Sequence, residues 1–104
     1  MDYKLFIDDL RYPITPDWFV ARTSYDAIHA VEHYGIPYEI AFDHDLGGKD
    51  TAMVFVGWLE EQVATGKIVI PDDFIFSVHS ANPVGKRNIT QAMIHMLETC
   101  VYTD

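Results

Sequence analysis

The chain has 104 residues, 49% of them apolar, enough for a single domain with a sizeable core and against intrinsic disorder. Its 16 acidic and 7 basic side chains give a formal net charge of −9, a surface that repels a nucleic-acid backbone or an anionic membrane. A lone cysteine, Cys100, excludes an intramolecular disulfide, and with neither a basic-apolar leader nor a run of membrane-spanning length the sequence reads as cytoplasmic.

Short apolar runs alternate with helical periodicity, as in an α/β domain with a mostly parallel sheet. Residues 3–7 form the first run and end at Asp8-Asp9. A polar, proline-bearing loop over 10–17 leads into a second strand at 18–21. Thr23 is placed to cap a helix, with Asp26 three residues on as in a capping box. Tyr25, Ile28, Val31 and Tyr34 give that helix an apolar face, and Gly35 and Pro37 stop it. A third strand, 39–42, runs into Asp43-His44-Asp45. Residues 51–65 read as an apolar-rich helix closed by Gly66, and 68–70 is a short ambiguous run. The fourth strand, 74–78, runs into His79-Ser80. Asn82-Pro83 then starts a terminal helix, Asn as cap and Pro at the first helical position. Ile89, Ala92, Met93, Met96, Leu97 and Cys100 form its buried face, the methionines as core filler.

Three strands thus end in chemically capable residues. In an open parallel sheet the carboxyl ends of strands share one edge, and ligands bind in the crevice beside it. Asp8, Asp9, Asp43 and Asp45 would crowd there, repelling and raising one another's pKa values. A hard divalent cation relieves that repulsion. Mg²⁺ fits the carboxylates best, while the nearby imidazoles also permit Mn²⁺, Zn²⁺ or Fe²⁺. His44 and His79 sit in the same crevice, where either could ligate the metal or act as general acid or base. His29, His33 and His95 fall on helices away from that edge and read as surface or packing residues.

Phosphate binding is expected at the start of the last helix. Ser80, Asn82, Lys86 and Arg87 surround its free N–H groups, and Gly85 allows close approach. Two cations in a first turn oppose the helix dipole, which favours an anionic partner. Arg11, just past the first acidic pair, is placed to clamp a phosphate in bidentate fashion.

This layout resembles a response-regulator receiver domain, with Asp43 in the phospho-acceptor place and Ser80 in that of the switch hydroxyl. The chain departs from that pattern where Gly47 replaces the usual proline. It also lacks a fifth strand with its preceding lysine, and its first two strands are joined too briefly for a crossover helix. It is more closely similar to the cyclic-phosphate processing receiver domains. Ile7-Asp8-Asp9-Leu10-Arg11, Phe42-Asp43-His44-Asp45-Leu46-Gly47 and His79-Ser80-Ala81-Asn82-Pro83-Val84-Gly85 carry the likeness. The resemblance implies a metal-dependent phosphoesterase acting on cyclic nucleotides or cyclic phosphate ends of RNA.

The expectation is one receiver-like domain over 1–104, a three-layer flavodoxin-like α/β fold with a mostly parallel sheet of four or five strands, shortened relative to a standard receiver. Its expected partner is a small phosphate-containing substrate or an RNA end rather than a membrane or a long duplex. A non-enzymatic signalling or protein-docking module is the alternative.

Overall fold

The computed structural model describes residues 2–101, with side chains to residue 98. Strands β1 (Lys4–Ile7), β2 (Trp18–Ala21), β3 (Glu39–Phe42) and β4 (Ile75–Val78) form one all-parallel sheet in the order β2-β1-β3-β4. Helices α1 (Ser24–Tyr34), α2 (Ala52–Ala64) and α3 (Pro83–Val101) complete an α/β domain of receiver and flavodoxin type. The ambiguous run 68–70 forms no strand, though Ile70 is buried in the core. The core position expected for Cys100 lies outside the described side chains.

The register decides which residues share a face. Leu5 pairs with Phe19 and Ile40, and Ile40 with Phe76; Ile7 pairs with Ala21 and Phe42, and Phe42 with Val78. Side chains alternate along a strand, so these residues point to one side of the sheet. There Leu5, Ile7, Ile40 and Phe42 join Val31 of α1, Phe55 and Leu59 of α2, and Ile89 and Met93 of α3 in a single cluster. The connections through α1 and α2 step across the sheet in the same direction, and right-handed crossovers place both helices on the same side.

The opposite face carries Phe6, Trp18, Val20, Ala41 and Ile75, and none of the described helices packs on it. At its β2 edge the β1–β2 connection forms a groove, lined by Tyr12 and Ile14 with Trp18 and Val20. That connection is shorter than the dozen or so residues a helical crossover needs.

Helix α1 starts as its sequence suggests, the Thr23 hydroxyl accepting from the Asp26 N–H at 3.0 Å. Its buried face matches the expectation at Val31, with Ile28 packed partly against the core, and differs at the tyrosines. Ser24, Ala27, Ala30 and Val31 are buried, whereas Tyr25 is 71% exposed and Tyr34 is exposed beside Phe19. Small alanines let the helix close on the sheet, and the large rings are displaced to its flank. In α3 the reading holds: Ile89, Met93 and Met96 are buried, with Ala92 and Leu97 packed partly against them.

Candidate active site at the strand ends

The sheet ladder continues one residue past the strands on the site edge. The Asp8 N–H donates to the Ala21 carbonyl at 3.1 Å, Asp43 to Ile7 at 2.8 Å and His79 to Phe42 at 2.8 Å. Asp8, Asp43 and His79 are therefore fixed in one row before any side-chain contact is considered.

Asp8 is the most constrained member, 1% exposed. Its Oδ1 accepts from the N–H groups of Leu10 at 2.9 Å and Arg11 at 2.8 Å, and its Oδ2 meets His79 Nε2 at 2.9 Å. Burial opposes ionisation most strongly here, but the N–H donors of Arg11 and Leu10 and the imidazole together outweigh it. The carboxyl is held below its usual range. Crowding thus does not raise Asp8 as the sequence suggested, because the backbone supplies donors that spacing alone does not reveal.

The His79 ring stacks on Phe6 with centroids 4.9 Å apart and planes 9° from parallel. Since β3 lies between β1 and β4, the ring spans that strand. Ala41, in register with Phe6 and Ser77, is the small side chain that leaves it room. Arg11 Nη1 donates to the His79 carbonyl at 3.2 Å. Arg22 Nη1 donates to the carbonyls of Asp8 at 3.0 Å and Arg11 at 2.6 Å, and its guanidinium lies 4.4 Å from the Tyr12 ring. Arg22 therefore pins the loop that orients Asp8.

The second half of the site hangs from β3. Asp43 Oδ1 accepts from the His44 N–H at 2.8 Å, and His44 Nδ1 meets Asp45 Oδ1 at 3.0 Å. The imidazole holds the Asp45 carboxyl below its usual range, with Asn82 assisting. The His44 ring lies directly on Gly85: a Cβ there would stand 2.3 Å from the ring. Asn82 Oδ1 accepts from the Gly85 N–H at 3.0 Å, capping α3, and Ser80 Oγ accepts from the Asn82 N–H at 3.0 Å. Lys86 and Arg87 are exposed on the first turn.

One carboxylate oxygen each from Asp8, Asp9 and Asp43 lies within 4.8 Å of the others. Among the described residues no lysine or arginine forms an ion pair with Asp9 or Asp43. Oxygens sharing one Mg²⁺ at about 2.1 Å stand roughly 3–4 Å apart, so the trio fits a hard divalent cation after small rotations. Asp45 stands outside it, paired with His44.

A parallel α/β sheet whose first and third strands end in such an acidic trio defines a receiver domain. The family model of the cyclic-phosphate processing Receiver domain matches residues 3–95, and the chain belongs to that family. No curated protein and no solved structure matches it. No helix among the described residues is long and apolar enough to cross a membrane.

The structure brings together Asp8, Asp9, Asp43 and His79 at one edge, with His44 and Asp45 against the start of α3. Ser80 and Asn82 are engaged in turn and cap bonds, and Gly85 seats His44. Two contributors escaped the sequence reading. Arg22 follows β2 without an obvious motif. Asp50 accepts from the Ser24 N–H at 2.8 Å and hydroxyl at 2.5 Å, tying the β3–α2 loop to α1. Asp50 lies in a Gly-rich loop where acids are ordinary.

Proposed function

We propose that the domain is a metal-dependent phosphoesterase that opens a cyclic phosphate, on a cyclic nucleotide or a 2′,3′-cyclic phosphate end of RNA. The observation that supports it most is the acidic trio flanked by two imidazoles, each held by its own aspartate. Asp8, Asp9 and Asp43 would hold the cation. Bound there, a hard divalent ion, Mg²⁺ by its ligand set, polarises the phosphoryl oxygen and lowers the pKa of a water.

The chain's own groups supply the rest. Asp8 fixes His79 through Nε2 and Asp45 fixes His44 through Nδ1, so each imidazole keeps one ring nitrogen for proton transfer. One takes the proton of the attacking water and the other gives a proton to the departing 2′ or 3′ oxygen. The new P–O bond forms in line as the ring P–O bond breaks, leaving a phosphomonoester. Arg11, Lys86 and Arg87, with the Ser80 hydroxyl and the Asn82 side-chain amide, would steady the phosphate. The net charge of −9 favours a small substrate or an RNA end over a long duplex.

Purified protein should hydrolyse 2′,3′-cyclic nucleotides only with Mg²⁺ or Mn²⁺ added. His44→Gln and His79→Gln should each lose about 100-fold or more in kcat, and Asp43→Asn should lose the metal-dependent activity. The rival is a signalling module that accepts phosphate on Asp43, which the receiver-like placing of Asp43 and Ser80 favours. Acetyl phosphate with Mg²⁺, followed by intact mass, separates the two. A stable phosphoryl adduct without turnover of any cyclic substrate would overturn the hydrolase reading.

A further inference from the structure

The exposed face of α1 carries a second set of metal-binding side chains that the acidic edge does not use. His29 and His33 stand one turn apart, both exposed. Their rings lie nearly parallel, 12° between planes and 6.0 Å between centroids, and Tyr25 stacks on His29 at the same spacing. Asp26 opens onto the same groove between α1 and β2, a space of about 310 Å³ also lined by Phe19 and Tyr34.

We propose that His29 and His33 chelate a borderline transition cation, Zn²⁺ or Ni²⁺, with water completing the shell. Two histidines four apart on a helix are a bidentate pair for such ions, as in metalloprotease helices. The rings are stacked, so their nitrogens stand about as far apart as the centroids, 6.0 Å, and a rotamer change of the two side chains brings one nitrogen of each to the roughly 3 Å a shared ion needs. The helix that presents them is already fixed. Thr23 caps it, Asp50 binds its first residue, and Ala27, Ala30 and Val31 anchor it in the core. Binding therefore orders only two side chains, and the acidic surface raises the local cation concentration.

The two sites differ in ligand chemistry. Three carboxylates select hard ions such as Mg²⁺, whereas paired imidazoles select Zn²⁺ and Ni²⁺ and leave Mg²⁺ in water. This second site is independent of the phosphoesterase reading and stands whether or not the chain turns over a cyclic phosphate.

The test is titration of the whole chain with ZnCl₂ and with NiCl₂ by calorimetry, in excess Mg²⁺, for the native protein and the His29→Ala/His33→Ala double variant. Paramagnetic Ni²⁺ broadening of amide resonances maps the site. Native protein should take up one equivalent more than the double variant, and broadening should centre on 25–34. Each single variant should weaken that equivalent by at least about tenfold, because the second imidazole acts at high effective concentration. Both changes sit at exposed helical positions where alanine favours the helix, and unchanged circular dichroism confirms folding. Equal stoichiometry in native and double-variant protein would overturn the proposal, as would single variants within twofold of native affinity.

Discussion

The contact of His44 with Gly85 gives a sharp test because α2 contains its control. Gly57 and Gly85 are both helical glycines. A Cβ at Gly57 meets nothing within 4 Å, whereas at Gly85 it would stand 2.3, 2.6 and 2.7 Å from three atoms of the His44 ring. Replacing a helix-interior glycine by alanine stabilises by about 1 kcal/mol, so Gly57→Ala should raise the urea midpoint accordingly. At Gly85 that gain, smaller in a first turn, meets a clash that only a shift of the ring by about 1 Å relieves, and overpacking of this kind costs about 1–3 kcal/mol. Gly85→Ala should therefore be neutral or destabilising by up to about 2 kcal/mol. The His44–Asp45 contact at 3.0 Å should break with it, moving the ring resonances in a ¹H–¹³C spectrum. If Gly85→Ala stabilised as much as Gly57→Ala and left the His44 ring signals in place, the seat assigned to Gly85 would be refuted.

Three further outcomes follow from other contacts. Burial first, and Tyr34 second, push the Tyr3 hydroxyl from 10.0 up to about 12. The native state then holds this proton more tightly than the unfolded chain, so stability should be intact below pH 10 and decline as pH rises toward 12. Denaturation across that window should show a shallower decline for Tyr3→Phe; equal slopes would contradict the assignment. Asp50→Ala leaves the buried Ser24 hydroxyl without its carboxylate and should cost about 1–3 kcal/mol in urea unfolding, a loss below about 0.5 kcal/mol counting against the tie. Ala41→Leu fills the lane beneath His79 and should abolish the upfield ring-current shift that Phe6 imposes on the imidazole protons; an unchanged shift would mean the ring does not cross β3 there.

Much of the fold was legible because its signals are local. Four short apolar runs each ended in polar residues, Thr23 with Asp26 and Asn82 with Pro83 marked helix starts, and the spacing of Ile89, Met93 and Met96 described one buried stripe. The acidic edge followed from topology, since parallel strands put their carboxyl ends together. What periodicity could not reveal was which side of α1 faces inward. The expected set Tyr25, Ile28, Val31 and Tyr34 and the set Ser24, Ala27 and Ala30 both recur every three residues, and the choice between them is made by how close the sheet can come. Nor could spacing show that Asp8 and His79 bond across an intervening strand, or that Arg22 and Asp50 brace the loops, since these are long-range pairings of common polar residues. His29 and His33 read from the sequence only as surface or packing residues, and their stacking side by side on the exposed face of α1 needed the structure.

The equal phase of the four strands has a consequence for how this domain tolerates length change. Each strand has four residues, and β1, β3 and β4 deliver Asp8, Asp43 and His79 one position beyond the last paired residue. Inserting or deleting a single residue within β3 would exchange the two sides of that segment, turning Asp43 toward the helices and Phe42 toward solvent. Segments this brief hold no spare turn to absorb the slip. Single-residue insertions should therefore be tolerated better in loops away from this edge than within the strands.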